Sequence, residues 1–352
     1  MSDGMGEDFA RLPQRRGQSA ELSANTNRAS RPRWPDARHY AALDLGTNNC
    51  RLLIARPQGP GFAVVDAFSR IVRLGEGLAT SGELSDAAID RTLAALRICA
   101  DKLRKRNVSL ARSVATEACR RATNGSAFIA RVRDETGIML DIITAEEEAR
   151  LAVLGCHALL EPGDGPALVF DIGGGSTELV LVDTRTTVPT VIDWHSAPWG
   201  VVSLTEASAA GAASGESLAT LYARMRDLVT TSFAPFAARV GMPVGTPRLL
   251  GTSGTVTTLA SVHLGLSSYD RSVIDGLIVP TGAMRAVSAR LAGLDLNERA
   301  QVPCIGHERA DLVVAGCAIL ESILDIWPAE RLGIADRGIR EGILRRLMQG
   351  GA

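Results

Sequence analysis

Apolar residues fall into short runs punctuated by glycine and polar turns, and into longer stretches with helical spacing. Residues 41–55 read apolar run, polar turn, apolar run, the turn being Gly46-Thr47-Asn48-Asn49. Residues 167–183 repeat that layout around Gly173-Gly174-Gly175-Ser176-Thr177. Short runs rich in Val, Ile, Leu and Phe and bounded by glycine predict strands. Residues 62–74 and 112–118 read as further strand. Residues 85–106 carry Ile89, Leu93, Leu96 and Leu103 near helical spacing and predict an amphipathic helix. Other helices are expected from Thr144, over 218–238, over the apolar stretch 312–326, and from a last amphipathic segment opened by Asp336 to Gly342. Residues 207–216, rich in Ala, Gly and Ser, read as loop or weak helix.

Laid on one another, the two polar turns match. Asp44 falls on Asp171, Gly46 on Gly173 and Arg51 on Glu178, at a separation of 127 residues. That is about the length of a domain. The pattern predicts a duplicated α/β fold in which each half sends one turn into a shared cleft. Glycine lets the backbone approach a ligand closely, and successive N–H groups in such a turn form an anion-binding nest. Asp171, at the end of a buried strand, suits a hard cation or an ordered water. A third glycine turn, Gly251-Thr252-Ser253-Gly254-Thr255, sits between a strand and a helix whose N-terminus is a natural phosphate seat. It is not a P-loop, since no Lys follows the second glycine.

Composition narrows the function classes. The chain of 352 residues has 46% hydrophobic and 22% charged content, enough for a large core and two domains. A net charge of −1 supplies no broad basic field, and 4% aromatic content leaves few stacking platforms, so nucleic acid is not an expected partner. Six scattered cysteines without a Cys-x-x-Cys pair argue against a zinc site and fit a reducing compartment. No apolar run reaches the length of a membrane span. Residues 1–38 are Arg-rich and polar, lack the apolar centre of a secretory signal, and read as a disordered tail. The cytoplasm is the expected location.

A polyanion would then be met by local cations. Arg120 and Arg121 offer forked donors suited to phosphate oxygens, although a solvated helix start gives the same pair. Thr144 with Glu147 fits a helix capping box, which accounts for Glu146 and Glu147 without function. Glu148 lies one position further in, and its direction, solvent or cleft, stays open at this level. Gly200 is equally open between close backbone approach and simple packing.

Together, Asp44-x-Gly46-Thr47-Asn48, Asp171-x-Gly173-Gly174-Gly175-Ser176-Thr177-Glu178 and Gly251-Thr252-Ser253-Gly254-Thr255 resemble the actin, sugar-kinase and heat-shock-chaperone ATPase superfamily. Thr-Ala-Glu-Glu-Glu-Ala-Arg followed by Asp-Ile-Gly-Gly-Gly-Ser-Thr-Glu is similar to the exopolyphosphatase and guanosine pentaphosphate phosphohydrolase family, over roughly residues 40–345. The resemblance implies two actin-like (ribonuclease H-like) domains flanking a central cleft, residues 39–151 and 152–348, with C-terminal helices able to cross the junction. It implies hydrolysis of a terminal phosphoanhydride bond of inorganic polyphosphate or guanosine pentaphosphate, with Mg2+ or another divalent cation. It places Glu148 as catalytic base, Asp171 and Glu178 as catalytic acids around water and metal, and Asp44, Asp171 and Glu178 as metal residues. Phosphate binding falls to Gly46, Thr47, Asn48, Asn49, Arg120, Gly173, Gly174, Gly175, Ser176, Ser253, Gly254 and Thr255. Three glutamates stand where two are usual, so the choice of Glu148 rests on the Ala149-Arg150 that follows. The long C-terminal extension of some members is missing, which leaves a homodimer open. An ATP-dependent kinase or ATPase of the superfamily, and a non-catalytic polyphosphate or nucleotide sensor, are the alternatives.

Overall fold

The computed structural model describes residues 38–213, 215–241 and 248–350; all but the last residue of the expected tail, and nearly all of the 241–247 connector, lie outside the described residues. Two mixed sheets organise the rest. The first half contributes strands β1 (His39–Leu45), β2 (Asn49–Gln58), β3 (Gly61–Ile71), β4 (Val108–Ala115) and β5 (Leu140–Ile142). Its helices are α1 (Leu78–Ser81), α2 (Asp86–Lys105), α3 (Glu117–Arg121), α4 (Gly125–Thr136) and α5 (Ala145–Cys156). The second half contributes β6 (Ala167–Ile172), β7 (Thr177–Asp183), β8 (Thr190–Ala197), β9 (Arg248–Thr252), β10 (Ile278–Pro280) and β11 (Arg331–Ala335). Its helices are α6 (Val201–Ala213), α7 (Leu218–Val240), α8 (Ser253–His263), α9 (Arg271–Ile274), α10 (Thr281–Gly293), α11 (Leu296–Gln301), α12 (Val313–Ile326) and α13 (Ile339–Gly350).

The sheets run β3-β2-β1-β4-β5 and, read from its opposite edge, β8-β7-β6-β9-β11-β10. Each therefore has an antiparallel three-strand meander followed by two parallel strands, and the second adds β10 antiparallel at its edge. The duplication extends to register. Asp44 pairs with Arg51 across the first hairpin, and Asp171 with Glu178 across the second. Both turns close with the same bond, from Gly46 N to Asn49 O at 2.9 Å and from Gly173 N to Ser176 O at 3.0 Å.

Helix ends follow local chemistry. Ser85 accepts from Ala88 N and starts α2 where the pattern puts it. The segment expected as loop or weak helix is the continuation of α6 to Ala213. Ala-rich sequence suits a helix interior, and its glycine does not break it. At α5, Thr144 Oγ1 accepts from Glu147 N, but the reciprocal half of the expected capping box is replaced, because Glu147 Oε1 accepts from Arg112 at 2.8 Å.

One face of the first sheet packs on α2 and α4 through Leu43, Leu45, Leu93, Leu96 and Phe128. The corresponding face of the second packs on α7, α8, α10 and α12 through Phe170, Phe233, Leu259, Met284 and Ile319. The remaining faces are covered crosswise. The last helix, α13, lies on the first sheet, where Ile343 and Leu344 meet Ala42, Leu53 and Val114. Helix α5, which ends the first half, sends Ala149, Val153 and Cys156 against Val169, Val180 and Leu250 of the second sheet. The two helices touch through glycine: a Cβ on Gly342 would lie 2.1 Å from Leu151 O, and one on Gly155 1.9 Å from Gly338 O. This close crossing places α5 between the two sheets, beside both hairpin turns.

Candidate active site

The two turns meet face to face. A Cβ on Gly174 would sit 3.1 Å from Asn48 N, and one on Gly175 2.5 Å from Thr47 Oγ1. Only glycine leaves room for that approach. The second turn is held from behind by the start of α6. Val201 N donates to Gly173 O (3.0 Å), Val202 N to Gly174 O (2.8 Å) and Ser203 Oγ to Gly175 O (3.0 Å). In a trans peptide the N–H points opposite the C=O. With three carbonyls turned to α6, the N–H groups of Gly174, Gly175 and Ser176 point away from it. That makes a nest for an anion. Gly200, open at the sequence level, is a close-approach glycine, since its Cβ would fall 2.4 Å from Gly174 C and 2.6 Å from Gly173 O.

Around the nest lies a cleft whose walls include Asp44, Thr47, Asn48, Glu117, Glu148 and Asp171, with 336–340 as its floor. Ser253, at the start of α8, has φ +83°, a left-handed conformation uncommon outside glycine. Gly254 and Thr255 line a recess that continues from the cleft past Arg51 and Arg309.

The phase of α5 settles Glu148. The Thr144 cap fixes the helix start, and Glu148 then shares a face with Leu151, Ala152 and Gly155, turned inward. Its side chain is buried, and its Oε2 accepts from Arg120 Nη1 at 2.7 Å. Arg120, expected on a phosphate, donates to Glu148, to Glu117 Oε2 at 2.9 Å and to Ile143 O at 2.9 Å. Burial, then the negative charge of Glu178, holds Glu148 well above the ordinary carboxylate range, while Arg120 pulls it back.

Asp171 is pushed up to about 6 by burial, with Arg51 opposing and the charge of Asp44 adding. Asp44 is raised by the same enclosure, and its Oδ1 is buried without a hydrogen-bond partner among the described residues. Two enclosed carboxylates next to each other, one with an orphaned oxygen, are a donor set for a hard divalent cation. Glu178 does not join them. Its Oε1 accepts from Ser176 Oγ (2.7 Å) and Ser196 Oγ (2.9 Å), one layer behind the turn, and burial lifts its pKa to about 7. Among the described residues, no three His, Cys, Asp or Glu side chains converge on one ion position, so the expected trio Asp44, Asp171 and Glu178 is drawn together only as a pair plus a neighbour.

Arg51, Glu117, and Asp336, Arg337 and Arg340 of the floor complete the wall beyond the residues expected from the sequence. Arg51 carried a signal, since it occupies the position in the first hairpin that Glu178 holds in the second.

Residues 53–350 match the Ppx/GppA phosphatase family. The chain is 32% identical over 317 residues to exopolyphosphatase 2 of Mycobacterium tuberculosis, covering 86% of this chain and 96% of that protein. The crystal structure of the Ppx/GppA family member of Aquifex aeolicus superposes with a TM-score of 0.71 at 27% identity, over 90% of this chain and 99% of that one. A solved exopolyphosphatase-like protein superposes with a TM-score of 0.78 at 27% identity, over 89% of this chain and all (100%) of that one. The matched hairpins, the crossed helices and these likenesses agree: the chain belongs to the Ppx/GppA phosphatase family and has its two-domain, actin-like α/β fold.

Proposed function

We propose that the chain is a divalent-cation-dependent hydrolase that releases terminal orthophosphate from inorganic polyphosphate, guanosine pentaphosphate or both. The observation that carries this reading is Glu148, a buried carboxylate with a raised pKa, set in a cleft whose facing wall is an N–H nest. A base poised above the ordinary carboxylate range suits proton abstraction near neutrality.

In this mechanism the 173–176 and 46–49 turns receive the terminal phosphate. Asp44 and Asp171 would hold Mg2+, which when bound spreads the charge of the phosphate oxygens. Glu148 takes the proton of a water that attacks the terminal phosphorus. A new P–O bond forms as the bridging P–O bond breaks, and the shortened chain leaves with that electron pair. Arg120 keeps Glu148 aimed at the cleft, and Ser176 and Ser196 fix Glu178 behind the nest. Phosphoryl transfer asks mainly for such positioning and charge stabilisation.

The test is phosphate release from polyphosphate, guanosine pentaphosphate and ATP side by side, with and without magnesium. Release from one of the first two, lost on chelation, is expected. Transfer from ATP to an acceptor would favour a kinase, and binding without release would favour a sensor.

A further inference from the structure

Behind the cleft, on the far side of the 336–338 turn, lies a cavity of about 370 Å³. That is within the ~300–1,000 Å³ of small-ligand pockets. Both halves build it: Phe62 and Val64 from the β2–β3 hairpin, Arg271 and Asp275 at α9, and Arg337 and Arg345 around α13. Its wall presents three guanidinium groups against two carboxylates, Asp275 and Glu341. Arg337 Nε donates to Asp275 Oδ2 at 2.6 Å, and Arg271 Nη2 to Glu341 Oε1 at 3.1 Å. Arg345 differs, because its Nε is buried and has no hydrogen-bond partner among the described residues. Arg271 Nε also faces Asp336 Oδ2 at 3.3 Å, so the cation left without a carboxylate among the described residues is Arg345. A forked guanidinium in that position suits phosphate or a like oxyanion better than a cation or a neutral ligand.

We infer that this cavity binds a small, multiply charged, phosphate-bearing anion on Arg271, Arg337 and Arg345, and that its occupancy is felt in the cleft through the 336–338 turn. The turn is a shared wall. Asp336, Arg337 and Gly338 line the cleft in front. From behind, Gly338 N donates to Glu341 Oε2 (2.9 Å), Asp336 N to Asp275 Oδ1 (3.1 Å) and Arg271 Nη2 to Asp336 O (2.7 Å). Thr252 Oγ1 donates to Arg337 O at 2.6 Å and ties the same turn to the end of β9, whose Thr252 pairs with Asp171. An anion that takes donors from Arg271 or Arg337 competes with Glu341 and Asp275, the two groups that hold the turn.

The same anion chemistry has two sources: the distal part of a chain whose end occupies the cleft, or a free effector such as pyrophosphate. The binding half of the inference is independent of the proposed function, and its effect on turnover rests on it. The experiment is calorimetric titration of pyrophosphate into the full-length Glu148→Gln protein. Two binding events are expected. Arg345→Met on that background should weaken one at least tenfold and leave the other within twofold. Val64→Trp, which narrows the cavity and leaves its three arginines unsubstituted, should give the same loss, so a folding defect in Arg345→Met does not decide the result. If the cavity holds a bound chain, Arg345→Met in the otherwise native protein raises KM for long polyphosphate and spares tripolyphosphate. If it holds a free effector, added pyrophosphate changes kcat on tripolyphosphate in the native protein and not in Arg345→Met. The absence of any binding event that both substitutions weaken overturns the site. Loss of one event with neither kinetic effect overturns the coupling. No release from any substrate would sink the proposed function and leave the titration standing.

Discussion

Gly200 touches no substrate in the proposed mechanism, yet Gly200→Ala should be among the most damaging small substitutions. Its new Cβ would fall 2.4 Å from Gly174 C, 2.5 Å from Gly174 O and 2.6 Å from Gly173 O, about 1 Å inside ordinary van der Waals contact. All three neighbours are backbone, so no side chain can swing aside. Either the nest shifts by most of that ångström or the start of α6 withdraws and its bonds to Gly173, Gly174 and Gly175 lengthen. Both outcomes displace the N–H groups that receive the phosphate. A misplacement of 1 Å costs on the order of 10²-fold in rate, or about 2.7 kcal/mol of transition-state stabilisation. The assay is steady-state phosphate release with a thermal-unfolding midpoint on the same preparations. A fall near 100-fold in kcat/KM in a folded protein is expected. A value within threefold of the native one, in a protein with an unchanged midpoint, would refute the claim that α6 sets the nest.

Three further outcomes follow from the same geometry. Glu148 must be unprotonated to accept a proton, and burial raises its pKa, so kcat/KM should fall with decreasing pH at a point above the ordinary glutamate value; because Arg120 lowers that pKa, Arg120→Met should move the limb to still higher pH, and a limb that stays put or moves down would contradict the assignment. Arg73, whose loop donates Arg73 N to Asn48 O and Gly75 N to Thr47 O, is ion-paired to Asp311 at 2.8 Å; Arg73→Asp should raise KM several-fold and Arg73→Asp with Asp311→Arg should restore it, whereas equal effects of the single and double changes would dismiss the pair. Gly342→Ala puts a Cβ 2.1 Å from Leu151 O at the α5–α13 crossing and should cost about 1–3 kcal/mol, read as a lower urea midpoint; an unchanged midpoint would mean the crossing is looser than described.

Much of this molecule was legible because hairpin turns are local objects. The Asp-x-Gly pattern fixes a strand end, a closing bond and a close approach within eight residues, so both copies and their equivalence could be read directly. Helix α2 was legible for the same reason, from a continuous apolar stripe. Glu148 was only half legible. The cap that fixes the phase of α5 was visible, but what its inward face meets depends on α13, nearly two hundred residues later. Apart from the family resemblance, Arg120 and Arg121 are indistinguishable in sequence; in the structure Arg120 is partly buried against Glu117 and Glu148 while Arg121 is exposed. Glu117 and the 336–340 floor carried no signal, since ordinary residues in ordinary turns reach the cleft only through the topology of the sheets. Gly200 could not be told from a packing glycine until its neighbours were known.

In the proposed reaction one buried glutamate activates water for attack on a phosphate held by two duplicated turns. Comparing orthophosphate release from polyphosphate by the native chain and by Glu148→Gln, with polyphosphate affinity measured in parallel, tests it most directly. Turnover lower by ~10²–10⁴-fold with affinity little changed is expected. Near-native turnover in the Gln protein would contradict it.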